Sequence, residues 1–324
     1  MSEHEYLLPA DWRGWVWQGG DNPLALQERY LNLSPLQPGE VLVRNAAIGL
    51  NPVDWKVLDT QRDQVPGVDG AGTVVAVGSD VDQHWLGRRV AYHQNLQRNG
   101  SFAEYTVLAA QVLLRIPDGV DFATAAAFPC PALTAWQAIE KIPVEPGAPL
   151  LISGAGGSVG HFLVQLAYAR GFEVTTLSGE RHWSRRHALG AKRCYSNEQH
   201  DASALKERYF AVIDAVSREK AAHLANNLMA NGHLVCIQGR VQEWPNPAFG
   251  RALSLHEVAL GALHQHGNPQ QWQRLTQQGE QMLRQIAQGT LQSESLLHFN
   301  WEQLPAQLLA LQDRNFSGKQ IILL

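Results

Sequence analysis

Apolar positions along this chain change rhythm twice. Up to Pro117 they come in short runs bounded by Gly, Pro, Asn or Asp: GEVLVRNAAIG (39–49), GAGTVVAVG (70–78), RRVAYH (88–93) and SFAEYTVLAA (101–110). Runs of this kind predict short strands joined by glycine turns, and hence a mainly β, barrel-like domain. Beyond Pro117 the spacing lengthens. Residues 121–141 are Ala-rich and helical in pattern. Then strand and helix patterns alternate: LLIS (150–153), a helix over 158–170, FEVTTL (172–177), a helix near 181–189, YFAVID (209–214), a helix over 218–230 and HLVCIQ (233–238). The strands are apolar throughout, as expected where helices cover both faces of a parallel sheet built from βαβ units.

The tail changes again, with a long amphipathic stretch (269–288) and a closing strand QIILL that has no partner in the alternating section. We expect that strand to return to the first domain, which would make the domain discontinuous. The fold class is therefore α/β: a β-barrel domain plus a doubly wound parallel-sheet domain. A length of 324 residues agrees with about two domains.

Bulk chemistry narrows the function classes. A formal charge of −4 argues against nucleic acid as the main partner, which calls for a basic face. No apolar run reaches the roughly 18–20 residues that span a bilayer, so no membrane role is expected. The N-terminal stretch is acidic and interrupted by Pro9, unlike a signal peptide. Three unclustered cysteines, Cys130, Cys194 and Cys236, give no disulfide framework and suit the cytoplasm.

The most specific local signal is LLISGAGGSVGHFLVQLAYARGFEV (150–174). An apolar strand runs into Gly154, Ala155, Gly156, Gly157, Ser158, Val159 and Gly160, and a helical stripe of Val159, Phe162, Leu163, Leu166 and Ala167 follows. Small residues let backbone N–H groups approach a pyrophosphate, and the helix N-terminus adds positive potential. The strict G-x-G-x-x-G fails at Val159, whereas A-x-G-x-x-G holds over 155–160. The strand–turn–helix–strand setting makes it a dinucleotide signature.

The next strand ends at Leu177-Ser178-Gly179 without the acid that an NAD ribose usually meets. Arg181, His182, Arg185 and Arg186 follow it. A serine hydroxyl and guanidinium donors suit a 2′-phosphate, so the expected cofactor is NADPH. Glu180 is the counter-signal, since a shift of one residue would place it on the ribose of NADH.

Several longer motifs, in this order, resemble the medium-chain dehydrogenase/reductase superfamily and its zinc-independent quinone oxidoreductase, or zeta-crystallin-like, branch. They are AAIGLNPVDWKV (46–57), PGVDGAGTVVAVG (66–78), GRRVAYHQNLQRNGSFAEY (87–105), IPDGVDFATAAAFPCPALTAW (116–136), ISGAGGSVG (152–160), ALGAKRCY (188–195), NGHLVCIQG (231–239) and GKQIIL (318–323). The resemblance implies a GroES-like domain (1–124 and 267–324) interrupted by a Rossmann domain (125–266), with cofactor and substrate in the cleft between them. It implies a homodimer joined near HLVCIQ. It also puts Thr134 at the nicotinamide ribose, and His182 and Asn197 near positions where many relatives carry Lys and Tyr. Gln238, ending HLVCIQ, is a further candidate cofactor contact.

Zinc relatives hold their catalytic metal with Cys, His and Cys. The corresponding positions here are Asn51, Val68 (with Asp69 after it) and Cys130. Only Cys130 offers a strong ligand, and catalytic zinc needs about three. HEVAL (256–260) lacks the second histidine of H-E-x-x-H, and His264 and His266 read as surface or loop residues. No metal site is therefore expected. Without a Lewis acid, hydride transfer favours acceptors that spread their own negative charge, namely quinones or C=C bonds conjugated to a carbonyl. By the same resemblance Asn51, Trp55, Lys56 and Tyr92 lie near the acceptor. Asn51 would donate to a carbonyl, Lys56 would stabilise an enolate, and Tyr92 would donate a proton or stack on a ring. Three alternatives stay open: an enoyl or enone reductase, a zinc alcohol dehydrogenase, and a non-catalytic NADPH-binding sensor or structural protein.

Overall fold

The strand Glu40–Gly49 organises one half of the molecule because its apolar side chains are buried along nearly its whole length. One of its edges pairs antiparallel with Asp69–Val77. The other edge is shared: Glu40–Arg44 meet Tyr105–Ala109, and Ala47–Gly49 meet Ile321–Leu323 of the strand Lys319–Leu323. The closing apolar strand thus completes the first sheet, as its unpartnered pattern required. Arg89–His93 and Leu114–Arg115 extend the sheet on one side, and Leu296–Asn300 runs parallel to the last strand on the other. A hairpin of Asp11–Val16 and Gln27–Asn32 adds Trp12 and Val16 to a core that also holds Phe102, Trp301, Leu304 and Ile322.

This computed structural model describes residues 10–32, 34–202 and 209–324. The acidic N-terminal stretch up to Pro9 lies outside the described residues. The chain divides into two compact units, one running up to Cys130 and resuming at Gly261–Leu324, the other spanning Pro131–Leu260. Both junctions lie six residues from those expected. The first falls inside the helix Pro129–Ile139. The Ala-rich 121–141 stretch is two helices, Phe122–Ala126 and Pro129–Ile139, because Pro129 cannot continue the first. The amphipathic tail segment forms the helix Pro269–Ala287, capped by Asn268 and burying Trp272, Leu275, Met282 and Leu283.

The second unit is a six-stranded, all-parallel sheet. In sheet order its strands are Arg193–Tyr195, Glu173–Leu177, Pro149–Ser153, Tyr209–Asp214, Leu228–Cys236 and Ser254–Glu257. In chain order that is 3-2-1-4-5-6, the doubly wound arrangement of a Rossmann sheet, with its ligand site outside the carboxyl end of the first strand. The helix expected over 218–230 ends earlier. It spans Arg218–Leu224, and the strand begins at Leu228, because Ala225–Asn227 tighten into a 3₁₀ turn that a pair of asparagines favours.

Candidate functional site

In the second unit the strand Pro149–Ser153 passes through the glycine turn into the helix Ser158–Ala169. Gly154 takes φ +66°, which a side chain would strain. Gly160 is closed in: a Cβ there would lie 2.5 Å from the Ala155 Cα and carbonyl oxygen. Gly157 is the opposite. It is exposed, and a Cβ would meet nothing nearer than the Gly154 oxygen at 3.7 Å. The first helical N–H groups have no partner within the helix, and the space beside the Gly157 Cα is open. That is the cradle a pyrophosphate needs.

The next strand delivers Ser178, whose Oγ is buried without a hydrogen-bond partner. A buried hydroxyl left unsatisfied in a folded chain is costly, and a ligand oxygen would relieve it. Beside it lie Arg181, which donates through Nε to His182 Nε2 at 3.1 Å, and the half-buried Arg185. The His182 pKa is lowered, first by burial and then by Arg181, Arg186 and Arg185, so the local potential is positive. These residues fit a phosphate on the adenine ribose. Glu180 stands exposed at the start of the same turn.

Arg186 does not take the role expected of it. It is 2% exposed and donates to the Gly156 carbonyl (3.1 Å) and toward His161 Nδ1 (3.4 Å), so it braces the glycine turn from within. The side chain of Thr134 is buried in the helix Pro129–Ile139, while Asn197 and Gln238 are exposed at the start of a helix and just past a strand end.

The first unit assembles a second constellation, from separated segments. Asp69 and His93 are directly opposite on neighbouring antiparallel strands, and so are Gly70 and Tyr92. Alternation sends the two pairs to opposite faces. Tyr92 therefore goes into the core, 0% exposed, with its hydroxyl donating to Asn45 Oδ1 (2.7 Å) and lying 3.0 Å from Thr106 Oγ1. Its ring covers Gly70, where any Cβ would strike the hydroxyl at 2.3 Å. Burial raises its pKa strongly. Tyr92 can neither stack on an acceptor nor donate a proton to one. The residue on the other face is His93, which the sequence reading passed over although period-two alternation marks it.

His93 Nδ1 is 2.9 Å from Asp69 Oδ1. Asp69 Oδ2 accepts from Asn51 Nδ2 and from the backbone N–H of Cys130, both at 2.9 Å. Lys319, buried, donates to Asn51 Oδ1 at 2.5 Å. Asn51 is 2% exposed and its amide is committed at both ends, so it bridges Lys319 to Asp69 and is not offered to a carbonyl. Next to it, fully buried Asp54 accepts from the N–H groups of Asn51 (2.7 Å) and Val68 (3.0 Å). Burial pushes its pKa up to about 7, against those two bonds. Lys56 ends the short helix Pro52–Lys56, exposed over the Trp55 ring. Its pKa is lowered by partial burial and by Arg314. His264, read from sequence as a surface residue, stacks on His93 (6.1 Å), meets the Trp272 ring at a tilt (4.9 Å) and buries an unpartnered Nε2.

Asp69, His93 and Cys130 bring three potential ligand atoms within 4.8 Å of one another. This set shares only Cys130 with the zinc pattern. Val68 is buried and apolar, Asn51 is spent on Lys319 and Asp69, and Asp69 already holds three donors. The residues as arranged do not fit a catalytic zinc of that pattern.

The model of the alcohol dehydrogenase GroES-like domain matches residues 37–118. A zinc-type alcohol dehydrogenase-like protein of Schizosaccharomyces pombe is 37% identical over 174 residues, 49% of this chain and 50% of that protein. An NADPH-dependent alkenal/one oxidoreductase of Arabidopsis thaliana is 29% identical over 253 residues, 72% of this chain and 64% of its own. The chain thus spans about half to two thirds of these curated relatives. The crystal structure of a Pseudomonas syringae quinone oxidoreductase superposes with a TM-score of 0.82 at 23% identity, covering 97% of this chain and 100% of that one. With a GroES-like domain match and a sheet of Rossmann order in one chain, the protein is similar to alcohol dehydrogenase-like, alkenal/one reductase and quinone oxidoreductase proteins, in line with the resemblance to the medium-chain dehydrogenase/reductase superfamily.

Proposed function

We propose that this chain is an NADPH-dependent reductase that transfers hydride, without zinc, to a quinone or another conjugated carbonyl. The observation that carries the reading is the pairing of an open glycine cradle with an unsatisfied Ser178 hydroxyl in an arginine-rich setting. Gly156, Gly157, Ser158 and Val159 would hold the pyrophosphate, while Ser178, Arg181 and His182 would hold the 2′-phosphate. Arg186 would keep the turn rigid from below. Bound NADPH supplies the hydride. The protein contributes orientation and a low-dielectric site for the acceptor. Asn51 and Val68, standing where zinc relatives have ligands, favour acceptors that delocalise charge without a Lewis acid.

An enone C=C reductase is the second reading, and the alkenal/one reductase among the relatives favours it. The proposal extends to a cytoplasmic homodimer. Three unclustered cysteines agree with a reducing compartment. Among the described residues no helix is long and apolar enough to cross a membrane.

The test is turnover of a panel of quinones, enals and enones with NADPH and NADH, together with metal analysis. We expect NADPH turnover without stoichiometric zinc. Ser178→Ala and Arg181→Ala should each lower the NADPH/NADH preference about tenfold, roughly 1.4 kcal/mol. An unchanged preference in both variants would remove the cofactor assignment.

A further inference from the structure

We propose that His93 is the proton donor that completes the reduction, held by Asp69 in the cluster the two share with Cys130. The inference rests on the reductase reading above. Asp69 is fully buried, and its Oδ2 is occupied by Asn51 and the Cys130 N–H, so Oδ1 is the atom left for His93 Nδ1. Lys319 pulls on the far end of the Asn51 amide and fixes its orientation, N–H toward the carboxylate. A carboxylate held in this way locks the imidazole with Nδ1–H inward. Nε2 is then the working atom. It makes no hydrogen bond among the described residues, and His93 is 8% exposed.

No neighbouring acid is as well placed. Tyr92 is sealed in the core, Asp54 is enclosed by two backbone donors, and Lys319 is committed to Asn51. The His264 pKa is pushed down to about 4, by burial first, so it stays neutral near pH 7 and is no proton donor there.

Hydride brings an electron pair to the β-carbon of the acceptor, and the C=C electrons move to the carbonyl oxygen as an enolate. The Nε2–H bond of the His93 imidazolium breaks, and its proton goes to that enolate. His93 is left neutral with Nδ1–H still on Asp69, and a solvent proton restores it.

The test is His93→Asn, whose amide can still donate to Asp69 but carries no transferable proton. We expect kcat to fall about 100-fold or more, within the usual range for loss of a positioned acid, with an unchanged KM for NADPH. Added imidazole should restore part of the rate, which a structural role would not allow. A kcat within about threefold of wild type, or a loss that imidazole leaves untouched, would overturn the inference. Stoichiometric zinc on the purified chain that disappears in Cys130→Ser would also overturn it, because the metal would then occupy these atoms. A wild-type protein inactive on every conjugated acceptor would sink the reductase reading and this inference together. An active wild type with an unaffected His93→Asn sinks the inference alone.

Discussion

The glycine turn at 154–160 leaves backbone N–H groups open toward a ligand, whereas the network around Asp69 spends nearly all its donors internally. The first site is written in a few consecutive residues, and its capacity to bind comes from what is absent: side chains at Gly157, an acid at Ser178. The second draws on five segments, around residues 51, 69, 93, 130 and 319, and depends on each partner being present. An open site of this kind tolerates substitution with loss of affinity. A closed one loses stability first, because a donor stripped of its acceptor stays buried.

The largest expected effect therefore lies in the closed network. Asp69→Ala strands the Asn51 amide, the Cys130 N–H and His93 Nδ1 together. We expect a loss of about 3–5 kcal/mol, seen as a lower denaturation midpoint with an unchanged slope. Asp69→Asn keeps one acceptor oxygen and should lose less than half as much. Equal losses in the two variants would mean that packing, and not the carboxylate, holds this region together.

An intermediate effect separates two glycines of one turn. Gly160→Val drives a side chain into Ala155 and should cost about 1–3 kcal/mol as overpacking, along with NADPH binding. Gly157→Val enters open space, so stability should hold while NADPH affinity falls by at least tenfold. Calorimetric melting beside a fluorescence titration reads both. If Gly157→Val melted as early as Gly160→Val, the turn would not be the open cradle described.

The same contrast explains what could be read in advance. The Rossmann strands Pro149–Ser153, Glu173–Leu177 and Tyr209–Asp214 lie within one residue of the runs expected, because apolar strands and helices in sequence impose local periods. The edge strand Ser254–Glu257 escaped, since four mostly half-buried residues carry no period. In the Asp69 network, Asn51, Asp69 and Cys130 were singled out by motif position, but His93 and Lys319 were not. Lys319 sits 268 residues from Asn51, and only the return of the last strand joins them. Tyr92 was preferred to His93 because chemistry without a face cannot choose between neighbours on a strand. The buried side of Arg186 was equally hidden, because the arginine run read as one cationic surface.

The smallest effect concerns pH and tests whether the histidine stack belongs to the closed network. In the folded chain the His264 pKa is lowered, by burial first, to about 4 from an ordinary 6.5. The fold thus favours neutral His264. Its contribution is complete above pH 6.5 and is lost as pH falls from there toward 4. Asp54 has the opposite sign. Its pKa is raised from 3.8 to about 7, so its contribution is complete below pH 3.8 and is lost as pH rises through 7. Between pH 4 and 6.5 the two slopes oppose, and a flat wild-type profile would conceal both. His264→Phe keeps a ring against Trp272 and deletes the unpartnered Nε2. It should leave the Asp54 slope exposed, making the variant more stable than wild type at pH 5 by up to about 1 kcal/mol after allowance for solvent screening. At pH 7.5 the difference should shrink. Adding Asp54→Asn should flatten the profile again, read from urea midpoints across that range. A His264→Phe profile parallel to wild type from pH 4 to 7 would place His264 in solvent contact and detach it from His93.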